Sequence, residues 1–371
     1  MKYGEKFDMI KLVIKKKINI LLQKYRIARK RHIEIRKFKD PKRIKIYSQI
    51  ELTEKQKKQI DDFYLSNYGK KIPYTWHRYF TAFTGSFDPQ YFPELLFIPE
   101  FERYMNPNQS YVNVFADKNV LAAIAAGVGV RMPKSVVSSV NNILLDKEYG
   151  LIDWNSLETL LGEGEYFAKP TVDSDSGRGC RLLDCKNNNM LHVLKKMGCD
   201  FVVQEKIVCS ESISRLHPAS VNTLRIMTYV WKEKIAVAPV IMRIGRNGSF
   251  LDNAHAGGMF IAVNNDGSLH KYAFTEFRER FYEHPDTKII FEGYVIKNME
   301  KVIKEAIRMH SALPQLGVIN WDFTIDKNEE PILIEANTSG GSIWLFQIAW
   351  GRGVFGENTA EILQWMRGNR V

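Results

Sequence analysis

No stretch of the 371 residues reaches the roughly 18 consecutive apolar residues that a membrane-spanning helix requires. An unbroken apolar core of the signal-peptide kind is also missing from the N-terminal residues, because lysine interrupts it at Lys11 and again at Lys15, Lys16 and Lys17. Cysteine is scarce. The four present (Cys180, Cys185, Cys199 and Cys209) lack CxxC spacing, which argues against a disulfide framework or a zinc ribbon and for reduced thiols in a cytoplasmic globular protein. No internal repeat is visible. The phosphate-binding pattern GxxxxGKS/T is missing, as is the His-Arg-Asp loop of protein kinases, so neither a P-loop enzyme nor an ordinary protein kinase is expected. A wholly disordered chain is excluded, since 45% hydrophobic and 12% aromatic residues can bury a sizeable core. The length suits two domains or one elaborate one.

Positive charge is abundant but confined. Residues 1–45 hold 17 Lys and Arg against 4 Asp and Glu, a net of +13, while the whole chain carries +11. Residues 46–371 therefore hold 36 basic and 38 acidic groups, a net of −2. A nucleic-acid groove would place basic residues on the folded body, so no nucleic-acid partner is expected there. Within the basic arm Ile10, Ile14, Ile18, Leu21, Leu22 and Tyr25 recur at helical spacing, with Lys and Arg filling most other positions. Such an amphipathic helix can lie on an anionic membrane surface, each nearby Lys or Arg contributing about 1 kcal/mol. The alternative is a helix whose apolar stripe packs on the body or on a partner chain.

Four regions follow from composition and pattern: the basic helical arm (1–45), an aromatic and proline-rich region expected to be compact and loop-rich (46–115), and two further parts, 116–207 and 208–371. Asp117-Lys118 opens an alanine-rich helix that stops at Gly127-Val128-Gly129, a broken GxGxxG better suited to ending a helix than to holding a phosphate. Tyr166–Lys169 and Cys180–Leu183 read as paired strands, and a helix near Met190–Met197 precedes the strand Phe201–Gln204. Strands Thr223–Trp231 and Ile235–Ile244 flank the turn Lys232-Glu233-Lys234, and another strand begins at Gly257-Gly258. A helix around Met299–His310 leads to a last hairpin, Val318–Asp326 with Pro331–Asn337. Strand pairs with interspersed helices make the fold class α+β.

The last hairpin carries the sharpest chemical signal. With a turn at Lys327–Glu330, Trp321 faces Ala336, Phe323 faces Ile334 and Ile325 faces Ile332 on one apolar surface. The other surface then pairs Asn320 with Asn337, Asp322 with Glu335, and Thr324 with Leu333. Directly opposed carboxylates about 5 Å apart repel by about 3 kcal/mol at an effective dielectric near 20. A shared proton, a neighbouring arginine or a hard divalent cation can offset this, and Asp322, Glu335 and Asn337 supply the oxygen ligands that magnesium prefers. A solvated polar face without an ion is the alternative.

Elsewhere, Asp173-Ser174-Asp175-Ser176-Gly177-Arg178-Gly179 follows Lys169-Pro170 and joins two strands. Small residues let backbone N–H groups approach phosphate oxygens, and Lys169 adds a charge, though a surface turn has the same composition. A three-residue turn between the strands of Thr223–Ile244 places Arg225 and Arg243 on one sheet face, whereas an even turn separates them. Arginine forks suit phosphoryl oxygens, so both are candidate catalytic residues. His255, beside Gly257-Gly258, is a candidate substrate ligand or proton acceptor, or a histidine hydrogen-bonded in a turn. The glycine pair points to close backbone approach to a ligand or another strand.

Lys118 before its helix, Lys169-Pro170, the Ser/Gly-rich loop, Gln204-Glu205-Lys206-Ile207, then Asp322 and Glu335-x-Asn337, taken in that order, resemble the ATP-grasp superfamily, and in particular its sugar-transfer-associated branch. Ser220-x-Asn222-Thr223-x-Arg225, Asp252-Asn253-x-His255-x-Gly257-Gly258 and Asp88-Pro-Gln-Tyr91-Phe-Pro93 extend the resemblance over about residues 75–350, leaving the basic arm outside it. The resemblance implies an ATP-grasp fold in which two α+β lobes hold ATP between them, with Mg2+ as the metal. It implies that Lys118 and Lys169 contact phosphates, that the loop with Ser176, Gly177, Arg178 and Gly179 closes over them, and that Gln204–Ile207 forms a hinge reading adenine. Glu211 is the implied ribose-binding acid, Asn222 joins the nucleotide contacts, and Asp322, Glu335 and Asn337 become magnesium ligands. The implied activity is ATP-dependent carboxylate–amine ligation through an acyl phosphate, with an amino acid or amine joined to a uronic acid or sugar precursor of a surface polysaccharide such as a capsule. The arm would hold this cytoplasmic enzyme at the inner face of the membrane. Phosphotransfer to a sugar hydroxyl, or a nucleotide-binding adaptor for a membrane glycan enzyme, are the other readings.

Overall fold

A computed structural model describes residues 3–172, 177–186 and 190–370 of the chain. The backbone divides into two compact units, Met1–Pro107 with Gly340–Val371, and Asn108–Ser339.

The first unit is helical. Neither Gly nor Pro occurs between Glu5 and Asp40, and a single helix, Tyr3–Lys37, spans nearly all of that run. Asp40 then caps the next helix, Pro41–Tyr47, by accepting from Lys42 N at 2.8 Å, with Pro41 at a position that needs no N–H donor. The C-terminal end of the long helix is anchored: Arg31 donates to the Tyr68 hydroxyl at 2.5 Å and pairs with buried Glu100. Phe38 packs on Trp76 and Tyr79, with ring centroids 4.4 and 5.2 Å away. Upstream of that anchor Leu12, Ile14, Ile18, Leu21, Leu22 and Tyr25 are exposed.

The aromatic stretch corrects the expectation of loop-rich packing, being mostly helical at Glu54–Asn67, Thr75–Thr84, Glu94–Leu96, Phe97–Phe101 and Glu102–Met105. The reason lies in spacing: Trp76, Tyr79, Phe80 and Phe83 stand at i, i+3, i+4 and i+7, so one helix face buries all four. The segment Asp88–Pro93 ties down the C-terminal part of the unit. Phe92 N donates to Gln347 Oε1 at 2.6 Å, Gln347 Nε2 donates back to Phe92 O at 2.8 Å, and Gly353 N donates to Asp88 at 2.7 Å.

The second unit is α+β, as the pattern indicated. Its first sheet comprises β1 (Ser135–Val140), β2 (Ile143–Asp146), β3 (Leu151–Ile152), β4 (Glu165–Pro170), β5 (Arg181–Asp184) and β6 (Phe201–Glu205), in the order β3-β2-β1-β6-β4-β5. Leu157, Leu161, Leu194 and Phe201 fill the core on one side of it. The second sheet comprises β7 (Thr223–Trp231), β8 (Lys234–Val237), β9 (Val240–Ile244), β10 (Met259–Val263), β11 (Ala273–Phe274), β12 (Arg280–Phe281), β13 (Val318–Ile325) and β14 (Pro331–Asn337). Its path runs β12-β11-β10-β9-β7-β13-β14, with β8 paired on β7. Helix Met299–Ser311 and the apolar face of β13, with Trp321, Phe323 and Ile325, share one core.

Two registers differ from expectation. The turn after β7 has two residues, Lys232 and Glu233, both with positive φ, which is the geometry of a tight hairpin rather than a three-residue loop. An even turn alone would part Arg225 from Arg243. The strand is then interrupted at Ala238-Pro239 and resumes one residue out of step: Thr228 pairs with Val237 on β8, but Thr223 pairs with Arg243 on β9. That slip returns both arginines to one face. In the last hairpin the pairs Asn320–Asn337, Trp321–Ala336 and Asp322–Glu335 hold, but Phe323 then faces Leu333 and Ile325 faces Pro331, because Ile334 is an extra, bulged residue.

Candidate active site

Strands β9, β7, β13 and β14 lie side by side, and their registers set a row of charged groups across the sheet. Arg225 on β7 stands opposite Asp322 on β13, which in turn stands opposite Glu335 on β14. Arg243 pairs with Thr223, two residues from Arg225. Asp322 is fully buried. Arg225 Nε donates to its Oδ1 at 2.5 Å, Arg225 Nη2 to its Oδ2 at 2.8 Å, and Arg243 Nη2 to its Oδ2 at 3.0 Å. Burial alone would push the Asp322 carboxyl up, but the two guanidinium groups outweigh it and hold it well below the usual carboxylate range. Glu335 moves the other way, raised by burial and by the Asp322 charge with which it shares a hydrogen bond, while Lys118 and Lys169 oppose the rise. The facing carboxyls are thus reconciled by two arginines and by a proton held more readily on Glu335.

Lys118 and Lys169 are both buried, and their acceptors are backbone carbonyls rather than carboxylates. Lys118 Nζ donates to Thr171 O at 3.4 Å, and Lys169 Nζ donates to Ile334 O at 3.5 Å. The β14 bulge therefore turns a carbonyl toward Lys169. Burial, then the charge of Lys118, bring the Lys169 ammonium down from 10.5 to about 8, with Glu335 pulling the other way.

Asn320 extends the row. It is buried two residues before Asp322 and opposite Asn337, whose Nδ2 donates to Asn320 O at 3.5 Å, and its own Oδ1 has no hydrogen-bond partner. Asp322, Glu335, Asn337 and this orphaned oxygen form the all-oxygen donor set that a hard divalent cation prefers. Two buried ammonium groups without a carboxylate acceptor complement a polyphosphate. On these grounds the residues fit a metal-bound nucleotide.

Sequence reasoning overlooked Thr223 and Asp252 as supports. Arg243 Nε and Nη2 donate to Thr223 Oγ1 at 2.9 and 2.7 Å, while Thr223 donates through N and Oγ1 to Asp252 Oδ2 at 2.8 and 2.5 Å. The signal was there, since both stand within the segments already singled out. Asn222 sits differently from its expected place among ligand contacts. It is fully buried, and its Nδ2 donates to Ile213 O (3.2 Å) and His217 O (2.8 Å), while its Oδ1 accepts from Ser220 Oγ (2.5 Å) and Gly245 N (3.0 Å). With both ends of the amide occupied, Asn222 is a bracket between chain segments.

The remaining candidates are more scattered. Gln204 is buried and its Nε2 lies 3.3 Å from both Pro133 O and Ser135 Oγ, Glu205 is exposed, Lys206 pairs with Glu165 at 2.9 Å on the surface, and Ile207 is half-buried. Glu211 is exposed and 3.7 Å from Arg215. His255 is partly exposed, and its Nδ1 is 2.7 Å from Glu276 Oε2. Gly258 is forced by backbone: a Cβ there would run into the Asp252 carbonyl, so the glycine pair serves a close turn. Arg178 is exposed and Gly177 and Gly179 are half-buried, whereas Ser176 and residues 173–175 fall outside the described residues.

The sequence model of the sugar-transfer associated ATP-grasp family matches residues 97–362. No curated protein matches the chain. Among solved structures, carboxyaminoimidazole ribonucleotide synthase from Aspergillus clavatus complexed with ATP is similar at 10% identity and a TM-score of 0.42, covering 64% of this chain and 48% of that one. D-alanyl-alanine synthetase A from Vibrio cholerae is similar at 11% identity and a TM-score of 0.42, covering 70% and 65%. L-amino acid ligase from Bacillus licheniformis is similar at 13% identity and a TM-score of 0.39, covering 64% and 43%. The chain thus spans about half the length of the synthase.

Proposed function

The chain belongs to the sugar-transfer associated ATP-grasp family, and from that premise we propose that it is an ATP-dependent ligase joining a carboxylate to an amine. The observation that carries this reading is the row Arg243–Arg225–Asp322–Glu335 set beside two buried lysines. Bound ATP would supply a phosphoryl group that makes a carboxylate reactive toward an amine, and Mg2+ held by Asp322, Glu335 and Asn337 would neutralise charge on the phosphate oxygens. Lys118 and Lys169 would hold those oxygens as fixed cations in a site where water is scarce. Asp322 keeps Arg225 and Arg243 aligned in the meantime; the arginines are then poised for transfer to an anionic group that competes with the carboxylate. Residues 116–207 and the segment beginning at 208 would be the two lobes around the nucleotide, with Gln204–Ile207 as hinge.

We further infer that the carboxylate or the amine belongs to a sugar precursor of a surface polysaccharide, the other partner being an amino acid or amine, as the sugar-transfer association of the family suggests. Incubation with ATP, a uronic-acid donor and mixed amino acids is expected to yield an amide, ADP and one equivalent of free phosphate, read by mass spectrometry. A phosphosugar without free phosphate would replace ligation by phosphotransfer.

A membrane role for the arm rests on exposure and charge. Residues 11–30 carry eight Lys and Arg and no Asp or Glu, and no described helix is long and apolar enough to cross a membrane. Ile14, Ile18, Leu21, Leu22 and Tyr25 lie exposed at helical spacing, giving an apolar face that an anionic bilayer surface can bury while lysines meet the headgroups. Deleting residues 1–25 leaves the Arg31 and Phe38 anchors intact. Co-sedimentation with vesicles containing anionic lipid is expected to fall at least tenfold on that deletion; equal sedimentation would end the membrane reading.

A further inference from the structure

A second group of side chains able to ligate a metal gathers near Gly245, two residues beyond Arg243, where neither the family match nor the reaction proposed above calls for one. His217, His284 and Asp286 come from separate segments, and their ligand atoms lie within 4.8 Å of one another. His217 and His284 are buried, with ring centroids 5.3 Å apart.

The hydrogen bonds of the two rings are arranged alike. His217 Nε2 is 2.9 Å from Ser249 O, and His284 Nε2 is 2.8 Å from Gly245 O. A carbonyl only accepts, so each Nε2 carries the proton and each Nδ1 of the neutral ring carries a lone pair. Pinning one ring nitrogen on a backbone carbonyl is how metal-ligating histidines are commonly held in the right tautomer and orientation. His217 Nδ1 is buried without a hydrogen-bond partner, and Asp286 Oδ2 lies 3.3 Å from it. Two ligands about 2.05 Å from a tetrahedral zinc ion lie about 3.3 Å apart, the separation seen here. His284 Nδ1 accepts only two long bonds, from Asp286 N at 3.2 Å and Thr287 N at 3.3 Å, and Asp286 Oδ2 accepts from Asn247 N at 2.7 Å.

We propose that His217, His284 and Asp286 bind a divalent transition metal of intermediate softness, zinc before others, through His217 Nδ1, His284 Nδ1 and Asp286 Oδ2. Two imidazole nitrogens make this a poor magnesium site and separate it chemically from the all-oxygen set at Asp322. The metal would staple three segments at Gly245, whose N donates to Asn222 Oδ1 and whose O accepts from His284. A Cβ at 245 would collide with the His217 ring and Ser220 Oγ, so the chain passes this point only as glycine. The staple would steady the end of β9 that carries Arg243.

The test uses the full chain, purified without a histidine tag and stripped with chelator, then titrated with Zn2+ or Co2+. Wild type and Asp322→Asn are expected to bind one equivalent, with visible cobalt d–d absorption and a chelator-reversible rise in Tm. Asp286→Asn, an exposed position that keeps the acceptor for Asn247 N, is expected to bind at least tenfold more weakly while its circular dichroism is unchanged. Absence of a stoichiometric zinc or cobalt site in wild type, or Asp286→Asn binding like wild type, would overturn the proposal.

Discussion

Asp322→Ala is expected to cost about 3–5 kcal/mol of folding stability together with ATP turnover, whereas Glu335→Gln is expected to lose turnover alone. Asp322 is the counter-charge of two arginines in a place water does not reach, and three charge-assisted hydrogen bonds end on it. Removing it leaves the buried Arg225 guanidinium without its carboxylate and Arg243 with Asp252, 3.6 Å away, as its remaining counter-charge, far costlier than the loss of an exposed pair. Against a net stability of roughly 5–15 kcal/mol, that loss should lower Tm on the order of ten degrees. Glu335 is placed differently: burial and Asp322 already push its carboxyl toward the protonated form. Glutamine keeps the shape and a hydrogen-bond donor toward Asp322, so Tm should hold or rise. What it removes is the second anionic oxygen for a divalent cation, and ADP formation should fall by about a hundredfold or more. Calorimetric unfolding and a coupled ADP assay on both variants separate the two effects; a Glu335→Gln protein that turns over ATP normally would remove Glu335 from the site.

Lys169→Met is expected to make the free protein more stable and the nucleotide complex weaker. The folded environment brings the Lys169 ammonium from 10.5 to about 8 because burial and Lys118 both disfavour its charge. Between about 8 and 10.5 the unfolded chain binds a proton that the folded one has released, so this group makes stability rise with pH across that window. Below it, folding carries a penalty on the order of 3 kcal/mol, which methionine of similar length removes. Polyphosphate would repay that penalty by meeting the ammonium with negative oxygens. Its loss should weaken nucleotide binding about 10- to 100-fold, the scale of one charge-assisted hydrogen bond. Thermal unfolding at pH 7 and nucleotide titration of the same variant give opposite signs if Lys169 is held for a ligand, and the same sign if it only supports the fold.

The chemistry of the last hairpin was legible because alternation fixes a face: Trp321, Phe323 and Ile325 must enter the core, so Asn320 and Asp322 emerge together. The bulge at Ile334 was not, since neighbouring apolar residues Leu333 and Ile334 satisfy either register, and the Lys169 ammonium that meets the bulged carbonyl stands 165 residues away. Arg225 and Arg243 share a face through two compensating irregularities, a short turn and a slip at Ala238-Pro239, of which only the proline is visible in the sequence. Asn222 read as a ligand contact because it adjoins Thr223 and Arg225, whereas its amide is spent on Ile213, His217, Ser220 and Gly245, partners that only folding brings near. The spacing of Trp76, Tyr79, Phe80 and Phe83 encodes the helix in the aromatic region, while Pro89 and Pro93 nearby fall between helices and carry turn signals of their own. His217 and His284 stand 67 positions apart, and no local pattern links them.

A calorimetric titration of MgATP into the wild-type protein at pH 8, repeated in two buffers of different ionisation enthalpy, addresses the proposed site without any substitution. If the row at Asp322 and the two buried lysines receive a metal-bound nucleotide, one equivalent binds, with a proton taken up at Lys169, whose ammonium the folded protein brings down to about 8, and any proton held on Glu335 given up to the metal. Heats that show no saturable binding in either buffer would contradict the assignment of these residues to ATP.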